Sequence, residues 1–228
     1  MNGPSTSSAV RTILGKDLRV ELRTLQSIPA MVLFSTTVYV IFRFGLDRTE
    51  LDGGLAAGVL LVTILFAALL AINRLFVAER EQGGFEAVRL APVDGAALLF
   101  AKALALLVYL SVLELVAIPV FWLFFLSGGS GLLPLIPVVL LLNGALAVTG
   151  ALISPIATNS TARDLIGPLI LLPLLVPPMI AASAAAANLL DAAGPIYDRY
   201  GTWLLTLGLY DAIFLLIGWA VFDFLLED

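Results

Sequence analysis

The chain has 228 residues, of which 61% are hydrophobic and 13% are charged, and its mean hydropathy is +1.06. This composition leaves too little polar surface to cover a water-soluble globule, so it excludes a soluble enzyme or binding module and predicts a chain solvated mainly by lipid. The net charge of −5 argues against a nucleic-acid partner, and the absence of His and Cys excludes disulfides and Ser-His catalysis.

The first element is an N-terminal segment, residues 1–27, that is polar and charged. It lacks the early apolar core of a cleaved signal peptide. Leucines recur in it at helical spacing, opposite three basic residues: Leu14, Leu18, Leu22 and Leu25 against Lys16, Arg19 and Arg23. The pattern predicts an amphipathic interfacial helix on the membrane surface. A simple topology anchor and a gating role both remain open for it.

Six apolar runs follow, each near the length that a helix needs to cross the hydrocarbon core. They are Ile28 to Phe44, Leu55 to Phe76, Leu98 to Leu126, Leu132 to Ile153, Leu165 to Leu190 and Trp203 to Leu226. Because the runs are continuously apolar and do not alternate, they predict helices and not a β-barrel. We expect one all-α membrane domain, with the six spans in residues 28–226. Prolines at 173, 177 and 178 predict that the fifth span is broken or bent.

The distribution of Lys and Arg between the spans predicts the orientation, because basic loops stay on the cytoplasmic side. Of the twelve basic residues, three lie on one side of the predicted membrane, namely Arg43, Arg48 and Arg199, and the others lie on the opposite side. We therefore expect a multi-pass protein of the inner, cytoplasmic membrane with both termini in the cytoplasm.

The longest cytoplasmic connection, Asn73 to Ala96, concentrates charge, glycine and proline. Glu86 to Leu90 can form a short amphipathic helix, with Gly83 and Gly84 as a flexible entry and Pro92 as its stop. Such a helix suits docking into a groove of another protein. A solvated loop is the alternative, since charge runs often serve only solvation.

Three stretches of this first half resemble the CcmB family, within the larger class of six-span ABC-2-type transporter permeases. They are Lys16-Asp17-Leu18-Arg19, Asn73-Arg74-Leu75-Phe76, and Glu81-Gln82-Gly83-Gly84-Phe85-Glu86 through Leu90-Ala91-Pro92, followed by Lys102 in the next span. CcmB proteins are the permease subunits of the haem-handling ABC complex of cytochrome c maturation. The resemblance therefore implies a transport subunit that is not itself an enzyme, with export of a lipid, glycan or drug as the alternative.

The resemblance also implies partners and contact residues. We expect a homodimer of permeases, two CcmA-like ABC ATPase subunits and further cytochrome c maturation membrane proteins. The coupling loop pressed into the ATPase would comprise Glu79, Glu81, Gly83, Gly84, Glu86, Arg89 and Pro92, with a second contact at Asn159, Arg163 and Asp164. Neither Lys16 nor Lys102 lies in a Gly-x-x-x-x-Gly-Lys-Ser/Thr motif, so ATP and Mg²⁺ would bind in the partner ATPase.

Polar residues inside the predicted spans are the default functional candidates. They are Glu114, Asn143, Asn188 and Asp211, and we expect Glu114 and Asp211 to be able to face one cavity. Interhelical hydrogen bonding is an equal alternative. Tyr210-Asp211 resembles half of an intramembrane aspartyl protease site, but the Gly-x-Gly-Asp half is absent; a structural scaffold subunit also remains open.

Axial ligation of haem iron normally uses His, Cys, Met or Tyr. The chain offers only Met31, Met179 and three span tyrosines, Tyr39, Tyr109 and Tyr210. We therefore expect no cofactor or metal to be held by this chain, and any haem to be ligated by partner proteins.

Overall fold

The structure is a computed structural model that describes residues 5–46, 51–81, 95–126, 132–158, 163–191 and 197–227. In these ranges the chain forms seven α-helices, which are α1 (Thr6–Thr24), α2 (Ser27–Gly45), α3 (Gly53–Glu81), α4 (Gly95–Phe125), α5 (Leu132–Thr158), α6 (Arg163–Leu189) and α7 (Tyr200–Glu227). The helices α2 to α7 are each long and apolar enough to cross a membrane.

The predicted all-α membrane fold is confirmed, and each of the six helices α2 to α7 contains most of one predicted apolar run. Some helices are longer than the predicted runs because polar residues continue them. For example, α3 ends at Glu81, beyond the predicted end at Phe76. The predicted short helix Glu86 to Leu90 lies outside the described residues.

The helix α5 lies at the centre of the bundle and packs against α3, α4, α6 and α7. The helix α2 packs against α3 and α4, and α1 packs along α4. We call the end of the bundle that holds the junction between α1 and α2 the α1 end. Large apolar side chains such as Leu115, Leu123 and Leu205 are more than 70% exposed, as expected for surfaces that face lipid chains.

The proline-rich helix α6, which was predicted to be broken or bent, is not broken and runs through Pro168, Pro173, Pro177 and Pro178. A bend in this helix stays a prediction. Pro178 has no N–H to donate to the carbonyl of Leu174. The phenol of Tyr210 on α7 donates to that carbonyl at 2.8 Å, so a neighbouring helix replaces the missing backbone bond. Thr149 of α5 lies 3.2 Å from the same phenol, which joins three helices at one point.

A close backbone approach between two spans lies at the end of the bundle opposite the α1 end. There Gly53 begins α3 against the backbone of Ala187 in α6, and a Cβ at position 53 would overlap the carbonyl oxygen of Ala187. Only glycine allows this separation, because any side chain would displace backbone atoms that cannot move independently.

Candidate functional site

A buried ion pair connects the N-terminal helix to the first half of α4. Nζ of Lys102 lies 2.8 Å from Oδ2 of Asp17, and the two side chains are 0% and 4% exposed. The phenol of Tyr109, two turns further along α4, donates to the backbone carbonyl of Asp17 at 3.2 Å. Buried charges of this kind persist only when they are paired, so the register of α1 on α4 is strictly defined.

A second acidic side chain of α1 caps the start of α2. Oε1 of Glu21 accepts hydrogen bonds from the backbone N–H groups of Ser27 and Ile28, each at 2.9 Å. These groups belong to the first turn of α2 and have no partner within their own helix. The guanidinium of Arg74 on α3 donates to the carbonyl of Gln26 at 2.7 Å, at the same junction. We call the contacts of Asp17 and Glu21 the α1 anchor.

The helix α1 presents three different surfaces. Its acidic residues are buried in the α1 anchor, while Leu14 and Leu18 pack partly against the core. Leu22 and Leu25 are 72% and 58% exposed. The basic residues line an open groove along the helix, formed with others by Arg11, Lys16, Arg19 and Arg23. The position of α1 on the membrane surface stays a prediction.

Two of the four predicted intramembrane polar residues are in contact. Nδ2 of Asn143 on α5 donates to Oε2 of Glu114 on α4 at 2.8 Å, and the residues are 0% and 7% exposed. We call them the acid–amide pair. The remaining oxygens, Oε1 of Glu114 and Oδ1 of Asn143, are buried and have no hydrogen-bond partner in the described part of the chain.

The other two predicted residues lie apart from that hydrogen bond. Asp211 on α7 contacts α5 at Gly144, the residue after Asn143, where the absence of a side chain leaves space for the carboxyl group. Asn188 is half-buried near the last turn of α6. An aspartyl protease dyad would require two acids that share a proton through a hydrogen bond. Within the described residues, the structure gives no such hydrogen bond between Glu114 and Asp211.

The predicted coupling residues Gly83, Gly84, Glu86, Arg89 and Pro92 lie outside the described residues, as does Asn159. Glu79 and Glu81 belong to the last turns of α3, and Arg163 and Asp164 to the first turn of α6, but their side chains are not described. The contact role of these residues therefore stays a prediction.

An apolar groove of 640 Å³ opens between α3 and α6. Small residues make room for it, Gly58 on α3 and Ser183 on α6, and branched and thioether side chains line the rest, among them Leu61, Val62 and Met179. A groove of this character accommodates apolar groups such as acyl chains or a flat hydrophobic ring system.

The candidate haem ligands are in different environments. Met31 and Tyr39 are fully buried, and the ring of Tyr39 packs on Phe121 and Phe125. The phenols of Tyr109 and Tyr210 already donate to backbone carbonyls. Of these five side chains, Met179 is the one that borders the groove between α3 and α6. Among the described residues there is no group of three or more carboxylates that could hold a metal ion.

The α1 anchor and the Tyr210 contact were missed by the sequence reasoning. Asp17 and Lys102 are 85 positions apart, so no local periodicity relates them. A usable signal was present, since a lysine inside an apolar span requires an acidic partner and few acids occur near the spans. For Tyr210, the signal was the run of prolines in α6, which predicts carbonyls in need of an outside donor.

Comparison with known proteins gives a consistent result over nearly the whole chain. The family model described as CcmB protein matches residues 8–223. Heme exporter protein B of Rhodobacter capsulatus is 28% identical over 172 residues, which cover 75% of this chain and 79% of that protein. Heme exporter protein B of Paracoccus denitrificans is 27% identical over 191 residues, or 82% of this chain and 86% of that protein. Together with the six apolar helices, these matches establish that the chain belongs to the CcmB family.

Proposed function

We propose that this chain is the permease subunit of an ABC transporter complex that handles haem for cytochrome c maturation. ATP would be hydrolysed by a separate CcmA-like subunit, and this chain would convert the movement of that subunit into a change of helix packing in the membrane. The observation that carries the proposal is the CcmB match over residues 8–223, together with two relatives that are both named heme exporter protein B.

The arrangement of the helices around the predicted coupling loop supports this function. The loop connects the end of α3 to the start of α4, and both of these helices hold the N-terminal segment. Arg74 of α3 binds Gln26, and Lys102 of α4 binds Asp17. A force applied to the loop would therefore reach α1 through a buried contact and the start of α2 through an exposed one, both short.

The orientation and the assembly belong to the same proposal. Both termini and the coupling loop would face the cytoplasm, as the distribution of Lys and Arg indicates. Two copies of this chain would associate with two ATPase subunits and with further membrane proteins of cytochrome c maturation. Charged side chains at the loop, led by Glu86, would set the choice of ATPase.

Haem would be the cargo of the complex, with its axial ligands supplied by partner proteins. This chain has no His or Cys. Two of its span phenols are occupied by hydrogen bonds to carbonyls, which makes them poor ligands. Its contribution would be an apolar wall, such as the groove between α3 and α6, and a change of conformation.

Two measurements on purified material test this function. The chain, expressed with its genomic-neighbour ATPase, should copurify with that ATPase and raise its rate of ATP hydrolysis above that of the ATPase alone. Haem titrated into the isolated chain should give no Soret shift typical of His or Cys ligation, and capture should require added partner proteins. Absence of ATPase association would contradict a permease, and tight haem binding by the isolated chain that one Met or Tyr substitution abolishes would contradict the division of roles.

A further inference from the structure

The acid–amide pair, Glu114 and Asn143, is incomplete as a set of hydrogen bonds. Its one bond, from Nδ2 of Asn143 to Oε2 of Glu114, leaves Oε1 of Glu114 and Oδ1 of Asn143 without partners. Both orphan atoms are oxygens of a side chain that is at least nine-tenths buried. Two acceptors cannot bond to each other, so the set lacks one hydrogen.

An ionised Glu114 has little to stabilise it at this position. The neutral amide of Asn143 is its hydrogen-bond donor, and the two ion pairs that the structure gives for the described residues join lysines to Asp17 and not to Glu114. An unpaired carboxylate in a membrane interior costs several kcal/mol, and such a group normally becomes neutral instead. Asp17 shows the contrast, because it is equally buried but has the ammonium of Lys102 beside it.

Among the described residues, the side chains given near Glu114 carry no positive charge. From α2, Tyr39 lies close enough to interact electrostatically with it, and Thr63 of α3 lies close to Tyr39. From α7, Asp211 contacts Gly144, next to Asn143. The acids of α1 face α4 around Lys102, about three helical turns from Glu114.

One proton completes the pair. A protonated carboxyl has one donor and one acceptor, as has the edge of a carboxamide. Because the two planar groups already share one hydrogen bond, a proton on Oε1 of Glu114 can be donated to Oδ1 of Asn143, which satisfies both orphan oxygens. We propose that Glu114 and Asn143 form a proton-binding site inside the membrane, in which Glu114 is a neutral acid doubly hydrogen-bonded to the amide.

The site links the proton to the packing of α4 on α5. Loss of the proton would leave a charge at the interface of these two helices, and that charge becomes tolerable only when water reaches it. The proton therefore leaves only in a conformation that opens this interface. The acid–amide pair alone forms this proton-binding site, whatever the cargo or the ATPase of the complex.

Infrared spectroscopy of the full chain in lipid bilayers at neutral pH tests the proposal, with Glu114→Gln as the key variant. The wild-type minus Glu114→Gln difference spectrum should contain the carbonyl stretch of a protonated carboxyl, shifted in D₂O. A carboxylate band in its place, without the protonated carbonyl stretch, would overturn the proposal.

Thermal unfolding gives a second test, because the unfolding temperatures of two variants report on the two hydrogen bonds of the protonated pair. The carboxamide introduced by Glu114→Gln would present a donor and an acceptor to Asn143, as the protonated acid does, so this variant should unfold within about one degree of wild type. Asn143→Leu should unfold at a clearly lower temperature, because it leaves both oxygens of Glu114 without a partner. If Glu114→Gln instead lowered the midpoint as much as Asn143→Leu, the carboxamide would not reproduce the two hydrogen bonds assigned to the protonated acid, and the proposal would fail.

Discussion

The ammonium group of Lys102 lies 2.8 Å from Oδ2 of Asp17, in a contact that water does not reach. This pair joins the N-terminal helix to the helix that follows the predicted coupling loop. A surface helix that lay loosely on the bilayer would need no such contact. The N-terminal segment is therefore part of the packed membrane domain.

Removal of one member of this pair should be strongly destabilising. Lys102→Met would remove the buried cation at 2.8 Å from Asp17 and leave only the half-exposed ammonium of Lys16 at 3.4 Å. Loss of one partner from comparable buried pairs costs about 3 to 5 kcal/mol. Thermal or denaturant unfolding in detergent micelles measures the loss. The matched control is Lys16→Met, since Lys16 lies 3.4 Å from Asp17 but is 46% exposed, and exposed pairs contribute about 0 to 1 kcal/mol.

Replacement of both members tests whether the damage comes from the unpaired charge. Asp17→Leu introduced into Lys102→Met should recover most of the lost stability, because apolar pairs of similar volume can substitute for buried ion pairs. Equal destabilisation by the Lys16 and Lys102 variants, or no recovery in the double variant, would contradict the assigned geometry.

The phenol of Tyr210 should matter because of Pro178. Tyr210→Phe removes the donor to the part-buried carbonyl of Leu174. An acceptor left without a partner costs about 1 to 3 kcal/mol when it is buried, so the loss here should lie toward the lower end of that range. Tyr197→Phe is the control, because Tyr197 is 57% exposed. In a Pro178→Ala background the restored backbone N–H can reach Leu174, so Tyr210→Phe should cost less there. An unchanged cost in that background would show that Tyr210 does not replace the missing backbone bond.

Glycine at position 53 should be irreplaceable, whereas glycine at 58 should not be. Gly53→Ala would place a Cβ on the carbonyl oxygen of Ala187, and we expect a loss of about 1 to 3 kcal/mol from the forced separation of α3 and α6. Gly58→Ala meets no atom within 4 Å, so it should be neutral or stabilising by up to about 1 kcal/mol. Comparison of the two unfolding midpoints checks the α3–α6 contact, and a larger loss for Gly58→Ala would refute it.

The predicted orientation can be tested with single cysteines, since the chain has none of its own. Cysteines at Asp52 and Ala192 should react with an impermeant thiol reagent added to intact cells. Cysteines at Glu86 and Asn159 should react only after permeabilisation. Labelling of Glu86→Cys from outside intact cells would contradict the predicted orientation.

The six spans could be predicted from the sequence because hydropathy and length determine them locally. The α1 anchor could not, since whether Asp17 reaches Lys102 depends on how α1 packs on α4. The helix α6, predicted to be broken or bent at its prolines, is continuous for a related reason. The prolines do remove backbone donors, but a donor from another helix, Tyr210, compensates at Leu174.

The polar candidates show how far composition leads. Glu114 and Asn143 could be singled out as costly residues inside spans, and they are in contact. The sequence alone could not show that Glu114 bonds to Asn143 while Asp211 contacts Gly144. These contacts depend on how α4, α5 and α7 are rotated about their axes.

The loop between α3 and α4 is proposed to couple this chain to an ATPase, and copurification of that ATPase with charge-reversal variants measures this coupling contact. Glu86→Lys should reduce the amount of ATPase recovered per permease. Membrane insertion should stay at the wild-type level, because the loop is predicted to lie outside the hydrocarbon. Asp52→Lys, at the opposite end of the bundle, is the matched control and should recover the wild-type amount. Wild-type recovery with Glu86→Lys, together with full complementation by Gly83→Pro, would show that the loop is merely solvated.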